Sequence, residues 1–210
     1  MDRSAPRGAR VLDVGGATGH LMAEVRRRRP DLEITVNDLT ETACRAAEAR
    51  GFRTICGGVA ELERCAASFD VVVMSDVIYY VPEIARLWDL IPRLVAPGGA
   101  VILRVPNKLA LIRLWQRLLR RVAPRRAEMT ASMRFFNPEH LFVFSRAFLE
   151  RRLRGLGFEE VQALPSPVLG GRAALRPLAR LGDGLVRAAH RASGGRVLAS
   201  PSLLLVARRG

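Results

Sequence analysis

The sequence predicts an α/β protein with a mostly parallel sheet and helices on both of its faces. Short apolar runs alternate with longer segments of helical periodicity along the first half of the chain. The run from Val71 to Met74 is apolar throughout, which is typical of a strand buried on both faces of a parallel sheet. A glycine-rich turn, residues 15–19, separates the first strand from the first helix, and such turns commonly bind ligands.

Local patterns predict each element in turn. Apolar, β-branched runs predict strands over residues 9–14, 32–38, 52–58, 100–107, 158–164 and 201–208, and a fourth strand with its exit loop over 69–83. Helical periodicity predicts helices over 21–29, 40–50 and 82–95, with Pro30 ending the first and the turn at 96–99 ending the third. Ser145 is a good N-cap and Gly157 a good stop for one more helix.

Length and composition favour one domain over residues 1–210. No apolar run approaches the length of a membrane span and no signal-peptide pattern opens the chain, so we expect a cytoplasmic protein. The three cysteines Cys44, Cys56 and Cys65 show no C-x-x-C spacing, which predicts neither a disulfide framework nor a metal site. Their simplest interpretation is that they are small buried hydrophobic residues.

The net charge of +14 belongs to the second half of the chain. Residues 1–104 carry 14 basic and 14 acidic side chains, whereas residues 105–210 carry 20 and 6. An arginine-rich composition bias would leave this charge on a solvated surface. A patch for an anionic substrate, a nucleic acid or an acidic membrane surface would explain it equally well, and both interpretations stay open.

The glycine turn distinguishes between two nucleotide-binding motifs. A dinucleotide fingerprint requires G-x-G-x-x-G, but Ala17 and His20 stand at its second and third glycines when counting starts at Gly15. The segment DVGGATG, residues 13–19, instead resembles the first motif of the class I S-adenosylmethionine-dependent methyltransferases, with Ala17 at the middle glycine. The run FDVVVMSDVIYYVP…LIPRLVAPGGAVILRV resembles the fourth and fifth motifs of that family, and residues 134–161 resemble a segment of its small-molecule branch.

This resemblance implies a Rossmann-like, seven-stranded sheet whose last strand is antiparallel, with S-adenosylmethionine as the methyl donor. The cofactor-binding positions it implies are Asp13, Gly15, Gly16, Gly19, Asp38, Gly58, Val59 and Ser75. Asp38 closes the second predicted strand, where a carboxylate can accept hydrogen bonds from ribose hydroxyls. The alternative is that Asp38 only caps the helix predicted over residues 40–50.

Two insertions are predicted after the fifth strand and between the last two strands. The helical insertion over 108–140 and the basic helical insertion over 165–199 both carry arginines on one face and apolar residues on the other. They could lie on an anionic membrane, clamp a phosphorylated substrate, or pack their apolar stripe on the sheet. The resemblance implies that the first insertion covers the substrate.

His140 and Tyr80 are the candidate catalytic residues. Methyl transfer needs mainly proximity and alignment, and a base assists when the acceptor is a hydroxyl. His140 lies in the predicted substrate cover, and Tyr79 and Tyr80 follow the fourth strand, close to the expected position of the methyl group. A hydrogen-bonded structural histidine and ordinary core tyrosines are the alternatives.

The sequence therefore predicts a methyltransferase that acts on a small molecule, with transfer to oxygen favoured and a phosphorylated, sugar or lipid-linked acceptor suggested by the basic insertions. Nucleic acid is an unlikely substrate because Ser75-Asp76-Val77-Ile78 stands where nucleic-acid amino methylases carry Asn/Asp-Pro-Pro-aromatic. An RNA methyltransferase and a non-catalytic accessory protein at the inner membrane face remain alternatives. A homodimer and peripheral membrane contact through the basic helices are also left open.

Overall fold

The structure is a computed structural model. It describes residues 5–65, 69–107, 140–166, 176–198, 200 and 202–210. Seven strands fall within these ranges: β1 (Arg10–Val14), β2 (Glu33–Asp38), β3 (Arg53–Cys56), β4 (Phe69–Ser75), β5 (Val95–Pro106), β6 (Phe158–Ser166) and β7 (Ser202–Arg209). They form one sheet in the order β3-β2-β1-β4-β5-β7-β6. Strands β1 to β5 pair in parallel, whereas β7 runs antiparallel to both β5 and β6. The predicted Rossmann-like architecture with an antiparallel last strand is confirmed.

Helices follow the strands as the alternating pattern predicts. They are α1 (His20–Arg28), α2 (Glu41–Glu48), α3 (Val59–Arg64), α4 (Ile84–Leu94), α5 (Arg146–Gly155) and α6 (Arg176–Ala192). Ser145 caps α5, because its side-chain oxygen accepts a hydrogen bond from the Phe148 amide at 3.2 Å. Gly157 follows α5 with φ +83°, the left-handed conformation expected of a helix stop.

The core lies on both faces of the sheet. One apolar layer packs α1 and α2, through residues such as Met22 and Ala47, against β1 and β2. A larger layer on the other face contains side chains of α3, α4 and α5, including Trp88 and Leu149. The carboxyl ends of β1 to β4 form the edge at which the site lies, as is usual for ligands of open α/β sheets.

The structure differs from the sequence prediction at several boundaries. Strand β3 ends at Cys56, because Gly57 turns away with φ +132°. Helix α3 was not predicted, since its six residues give too short a periodic pattern. Of the three cysteines expected to be buried, only Cys44 is; Cys65 is half-buried and Cys56 is exposed, so that expectation was wrong for these two.

The insertion predicted over 108–140 lies outside the described residues except for His140. Within the second insertion, α6 confirms helix between the last two strands. From Gly184 onward α6 is largely exposed, and Leu185 keeps 65% of its surface accessible. Among the helices that the structure describes, none has the length and apolarity to cross a membrane.

Candidate cofactor and acceptor site

The turn after β1 needs glycine for two different reasons. Gly15 has φ +67°, and a Cβ there would lie 2.2 Å from Cγ2 of Val77. At Gly16 a Cβ would lie 2.5 Å from Oδ2 of Asp13 and 2.8 Å from Val36. Neither position accepts a side chain without a shift of its neighbours, so the turn forms a cradle of bare backbone at the sheet edge.

Asp13 lies directly beneath this cradle. Its side chain is 1% exposed, and among the described residues its Oδ2 has no hydrogen-bond partner. Burial, and secondarily the nearby Asp38 carboxylate, raises the pKa of Asp13 to about 7. A buried carboxyl without a partner is costly, which is typical of a group that serves a ligand-binding turn.

Ala17, which stands at the middle glycine of the resembled motif, adopts a left-handed conformation. Its φ is +48°, a left-handed value that a non-glycine residue adopts at a cost of about 1 kcal/mol. The Ala17 amide donates a hydrogen bond to Oδ2 of Asp38 at 3.0 Å. The other carboxylate oxygen of Asp38 accepts from the amide and hydroxyl of Thr40, both at 3.0 Å. Asp38 therefore ties the glycine turn to the end of β2, and the N-cap of α2 is Thr40 rather than Asp38.

Asn37 is a structural residue of this edge that the sequence interpretation missed. It is 4% exposed, and its side-chain amide donates to the carbonyls of Ile55 and Gly57 at 2.8 and 2.9 Å. Its own carbonyl accepts from the Gly16 amide at 2.9 Å. One asparagine thus joins β1, β2 and β3 where they reach the cavity. The sequence feature that could have indicated this role is a polar residue next to Asp38 at the end of an apolar strand.

A cavity of about 360 Å³ opens above these strand ends. Its lining includes Gly15 of the turn, Asp38 at the end of β2, and Asp76 and Tyr80 after β4. Of the predicted cofactor positions, Gly58 and Val59 also line it. Ser75 ends β4, and Asp76, which follows it, lines the cavity. Three of the described lining residues, Asp38, Asp76 and Glu83, are carboxylates and none is basic.

The two predicted catalytic residues lie together. His140 Nε2 is 3.2 Å from the hydroxyl oxygen of Tyr80, and Tyr80 lines the cavity. Tyr79 is 5% exposed and packs at a tilt against both rings, with centroid distances of 4.3 Å to His140 and 4.6 Å to Tyr80. Burial, with a smaller effect of Tyr80, raises the pKa of Tyr79 to about 12. The alternative of a core tyrosine thus holds for Tyr79, whereas Tyr80 faces the cavity.

A buried arginine reaches the same edge from β5. Arg104 is 9% exposed, and its guanidinium forms an ion pair with the Asp76 carboxylate. It also donates to the hydroxyl oxygens of Ser166 and Ser202 at 3.0 and 3.1 Å. Burial lowers the pKa of Arg104, yet a guanidinium keeps its charge in proteins. The sequence places Ser75-Asp76 at the carboxyl end of the fourth strand, where open sheets bind ligands, but it gives Asp76 no specific contact and Arg104 no role.

The residues around the cavity fit S-adenosylmethionine. The glycine cradle lets a ligand approach the backbone closely, and the unpartnered Asp13 oxygen lies under it. Asp38 can accept ribose hydroxyls, and Leu39 and Val59 offer apolar walls for a flat base. The carboxylates suit a ligand that carries positive charge.

Comparisons with known proteins identify the family of this chain. A family model described as a methyltransferase domain matches residues 2–163. The ubiquinone/menaquinone biosynthesis C-methyltransferase UbiE of Dinoroseobacter shibae is 33% identical over 123 residues, which are 51% of this chain and 48% of that protein. The ubiquinone biosynthesis O-methyltransferase of Psychrobacter cryohalolentis is 30% identical over 108 residues, covering 48% of this chain and 42% of the relative. The chain thus spans less than half the length of these curated relatives.

Solved structures share the fold at low sequence identity. A methyltransferase of Archaeoglobus fulgidus superposes with a TM-score of 0.61 at 16% identity, covering 96% of this chain and 86% of that one. A possible histamine N-methyltransferase of Thermotoga maritima gives 0.63 at 16% identity, covering 96% and 83%. The family match over most of the chain confirms the resemblance and implies S-adenosylmethionine as the donor. The chain belongs to the class I S-adenosylmethionine-dependent methyltransferases, in the methyltransferase-domain family.

Proposed function

We propose that this protein transfers a methyl group from S-adenosylmethionine to a small-molecule acceptor, with a hydroxyl oxygen as the favoured target. The observation that carries the proposal is the cavity itself. Its lining combines Gly15 and Asp38 with Tyr80, and Tyr80 is hydrogen-bonded to His140. The proposed donor-binding residues and Tyr80 therefore line one space of small-molecule size, with His140 at hydrogen-bond distance from the tyrosine.

The donor-binding half consists of residues with distinct tasks. Asp38 would accept the ribose hydroxyls, and the backbone of Gly15 and Gly16 would face the amino-acid part of the donor. Leu39 and Val59 would enclose the adenine. When bound, S-adenosylmethionine supplies an electrophilic methyl group on a positively charged sulfur. The carboxylates of the cavity favour that charge electrostatically.

The acceptor half would orient a hydroxyl and remove its proton. Tyr80 is 39% exposed and can hydrogen-bond an acceptor in the cavity. His140, 3.2 Å from the Tyr80 oxygen, can take up the proton that the hydroxyl releases through that tyrosine. Tyr79 stays neutral at physiological pH because its pKa is about 12, and its ring fixes the orientation of His140.

Transfer to carbon is a second candidate, which the named activity of the Dinoroseobacter relative favours. Deprotonating a phenol also activates its ring carbons, so the Tyr80–His140 pair serves either reaction. A phosphorylated acceptor gains no support from the described cavity walls, which hold carboxylates and no basic side chain. The membrane and homodimer partners predicted from the basic insertions stay predictions.

Calorimetric titration with S-adenosylhomocysteine tests the donor site. Asp38→Ala is expected to weaken binding by about a hundredfold or more, because hydrogen bonds to a charged group contribute about 1.5–3 kcal/mol each. Glu33→Ala is the matched control, since Glu33 begins the same strand at the opposite edge of the sheet and is exposed. Equal affinities of wild type and Asp38→Ala would contradict the proposed donor site.

Methyl transfer is then measured from labelled S-adenosylmethionine to catechol, phenol and a quinol. The expected result is an O-methylated product, whose formation Tyr80→Phe and His140→Gln each slow by roughly a hundredfold. A ring-methylated product would support the second candidate. Tight donor binding without transfer to any of the three would favour the non-catalytic alternative.

A further inference from the structure

The residue after β4 has an unusual conformation that is fixed from two sides. Asp76 has φ +57°, a left-handed value that aspartate adopts more readily than most residues but still at a cost. Its amide donates to the carbonyl of Arg104 at 2.9 Å, and its carboxylate pairs with the guanidinium of the same residue. Backbone and side chain of Asp76 are therefore both anchored to β5.

Arg104 is itself held by three strands. Its backbone pairs with Ser75 of β4, and its guanidinium binds Ser166 of β6 and Ser202 of β7. Burying a guanidinium is expensive, and replacing a buried ion pair by apolar residues often leaves a protein equally stable. Stability alone is therefore a weak reason for an arginine here. A planar guanidinium with several fixed partners does hold a carboxylate in one orientation.

The carboxylate held in this way faces the cavity at the end away from Asp38. Strands β2 and β4 flank β1, so Asp38 and Asp76 leave the sheet about 10 Å apart, at about 4.8 Å per strand. Asp76 shares its end of the cavity with Tyr80 and Val77. The Asp38 carboxylate is engaged by Ala17 and Thr40, whereas Asp76 is anchored from behind by Arg104.

We propose that the Asp76 carboxylate is the contact for a hydrogen-bond donor on the methyl acceptor, a hydroxyl or an amine, and that Arg104 is the positioning residue that aims it. The inference rests on the proposed function and adds the chemical class of group that the acceptor half selects. Asp76 accepts this hydrogen bond while the acceptor binds. During transfer the hydroxyl turns its hydrogen to Tyr80, whose own proton passes to His140. Acceptors that lack a donor group would bind poorly.

Ligand-observed NMR on the protein loaded with S-adenosylhomocysteine tests this selection without turnover. The probes are phenol and aniline, which carry a donor, and anisole, which has the same ring without one. Wild type is expected to bind phenol and aniline about tenfold or more tightly than anisole, the effect of one hydrogen bond to a charged group. The preference should vanish in Asp76→Gly, a substitution that tolerates the left-handed φ.

Variants of Arg104 distinguish a role in positioning Asp76 from a purely structural role. Arg104→Met should lose most of the preference for phenol, and Arg104→Lys should recover part of it, because lysine restores the charge without the planar fork. The double variant Asp76→Gly/Arg104→Met leaves no unpaired buried charge, and its thermal unfolding shows whether the fold persists. Glu83→Gln, which alters another cavity carboxylate, should keep the preference.

Each result bears on one of the two proposals. If wild type does not bind S-adenosylhomocysteine, the proposed function is overturned. The assignment of Asp76 is overturned if wild type binds S-adenosylhomocysteine but shows equal affinities for phenol and anisole, or no detectable phenol binding. It is also overturned if the preference for phenol survives in Asp76→Gly. Unchanged selectivity in a folded Arg104→Met variant would overturn the positioning role.

Discussion

Replacing Asp13 with asparagine is expected to remove a large part of the pH dependence of folding stability. The carboxyl is 1% exposed, and Oδ2 has no hydrogen-bond partner in the part of the chain that the structure describes. Burial, and to a smaller extent the charge of Asp38, raises its pKa from 3.8 to about 7. Asparagine has nearly the same shape but cannot ionise, so Asp13→Asn removes the titration and keeps the volume.

The sign and size of the effect follow from proton linkage. The unfolded chain loses the Asp13 proton near pH 4, whereas the native protein keeps it until about pH 7. The native state therefore binds more protons in this window, and the free energy of unfolding falls as the pH rises through it. The difference between a pKa near 4 in the unfolded chain and about 7 in the native protein corresponds to about 4 kcal/mol of unfolding free energy. Wild type has lost almost all of this contribution at pH 8. At pH 8 the asparagine variant should match or exceed wild type.

Urea unfolding at several pH values between 4 and 8 measures this difference. Fluorescence of the buried Trp88 can report the transition, and the free energy of unfolding comes from linear extrapolation. Asp89→Asn is the control, because Asp89 is exposed and pairs only on the surface with Arg152, so its curve should run parallel to wild type. If wild type and Asp13→Asn show the same pH dependence, the argument from burial is refuted.

Two further substitutions test local features of the fold. Ser145→Ala should lower the free energy of unfolding by about 1 kcal/mol, because it removes the cap of α5. Ser145→Asn should retain most of the stability, because asparagine also caps helices. Urea unfolding measures both variants. Ala17→Val should destabilise by about 1–2 kcal/mol because a β-branched residue resists φ +48°, whereas Ala17→Gly should be close to neutral. Equal unfolding midpoints for these two Ala17 variants would contradict the strain at that position.

The strand and helix order could be predicted because each major element carries its own periodic signal. The apolar run in β4 and the glycine turn after β1 are local patterns, and the crossover rules then leave few topologies. Helix α3 escaped because six residues give less than two turns of pattern. Strand β3 was predicted too long because a glycine with φ +132° cannot be recognised from its neighbours.

The residues proposed for the donor half could be found from the sequence more easily than Asp76 and Arg104, for a similar reason. The glycine turn and Asp38 belong to β1 and β2, which are neighbours in sequence and in space. The pair Asp76–Arg104 depends on the register of β4 with β5, and its serine partners lie 62 and 98 residues away from Arg104. No local pattern encodes such a contact, so only the assembled sheet reveals it.

The cavity and the whole chain differ in charge, and this difference constrains the acceptor. The chain has a net charge of +14, yet the described cavity walls offer Asp38, Asp76 and Glu83 without a basic side chain. Asp38 and Glu83 attract a cationic donor, whereas Arg104 offsets the charge of Asp76. A phosphate placed beside Asp38 and Glu83 is repelled unless cations enter from elsewhere. The arginines that the structure describes in the second half of the chain, such as Arg146 and Arg152, are not among these lining residues. A neutral or cationic acceptor with a hydrogen-bond donor satisfies the described cavity without any such help.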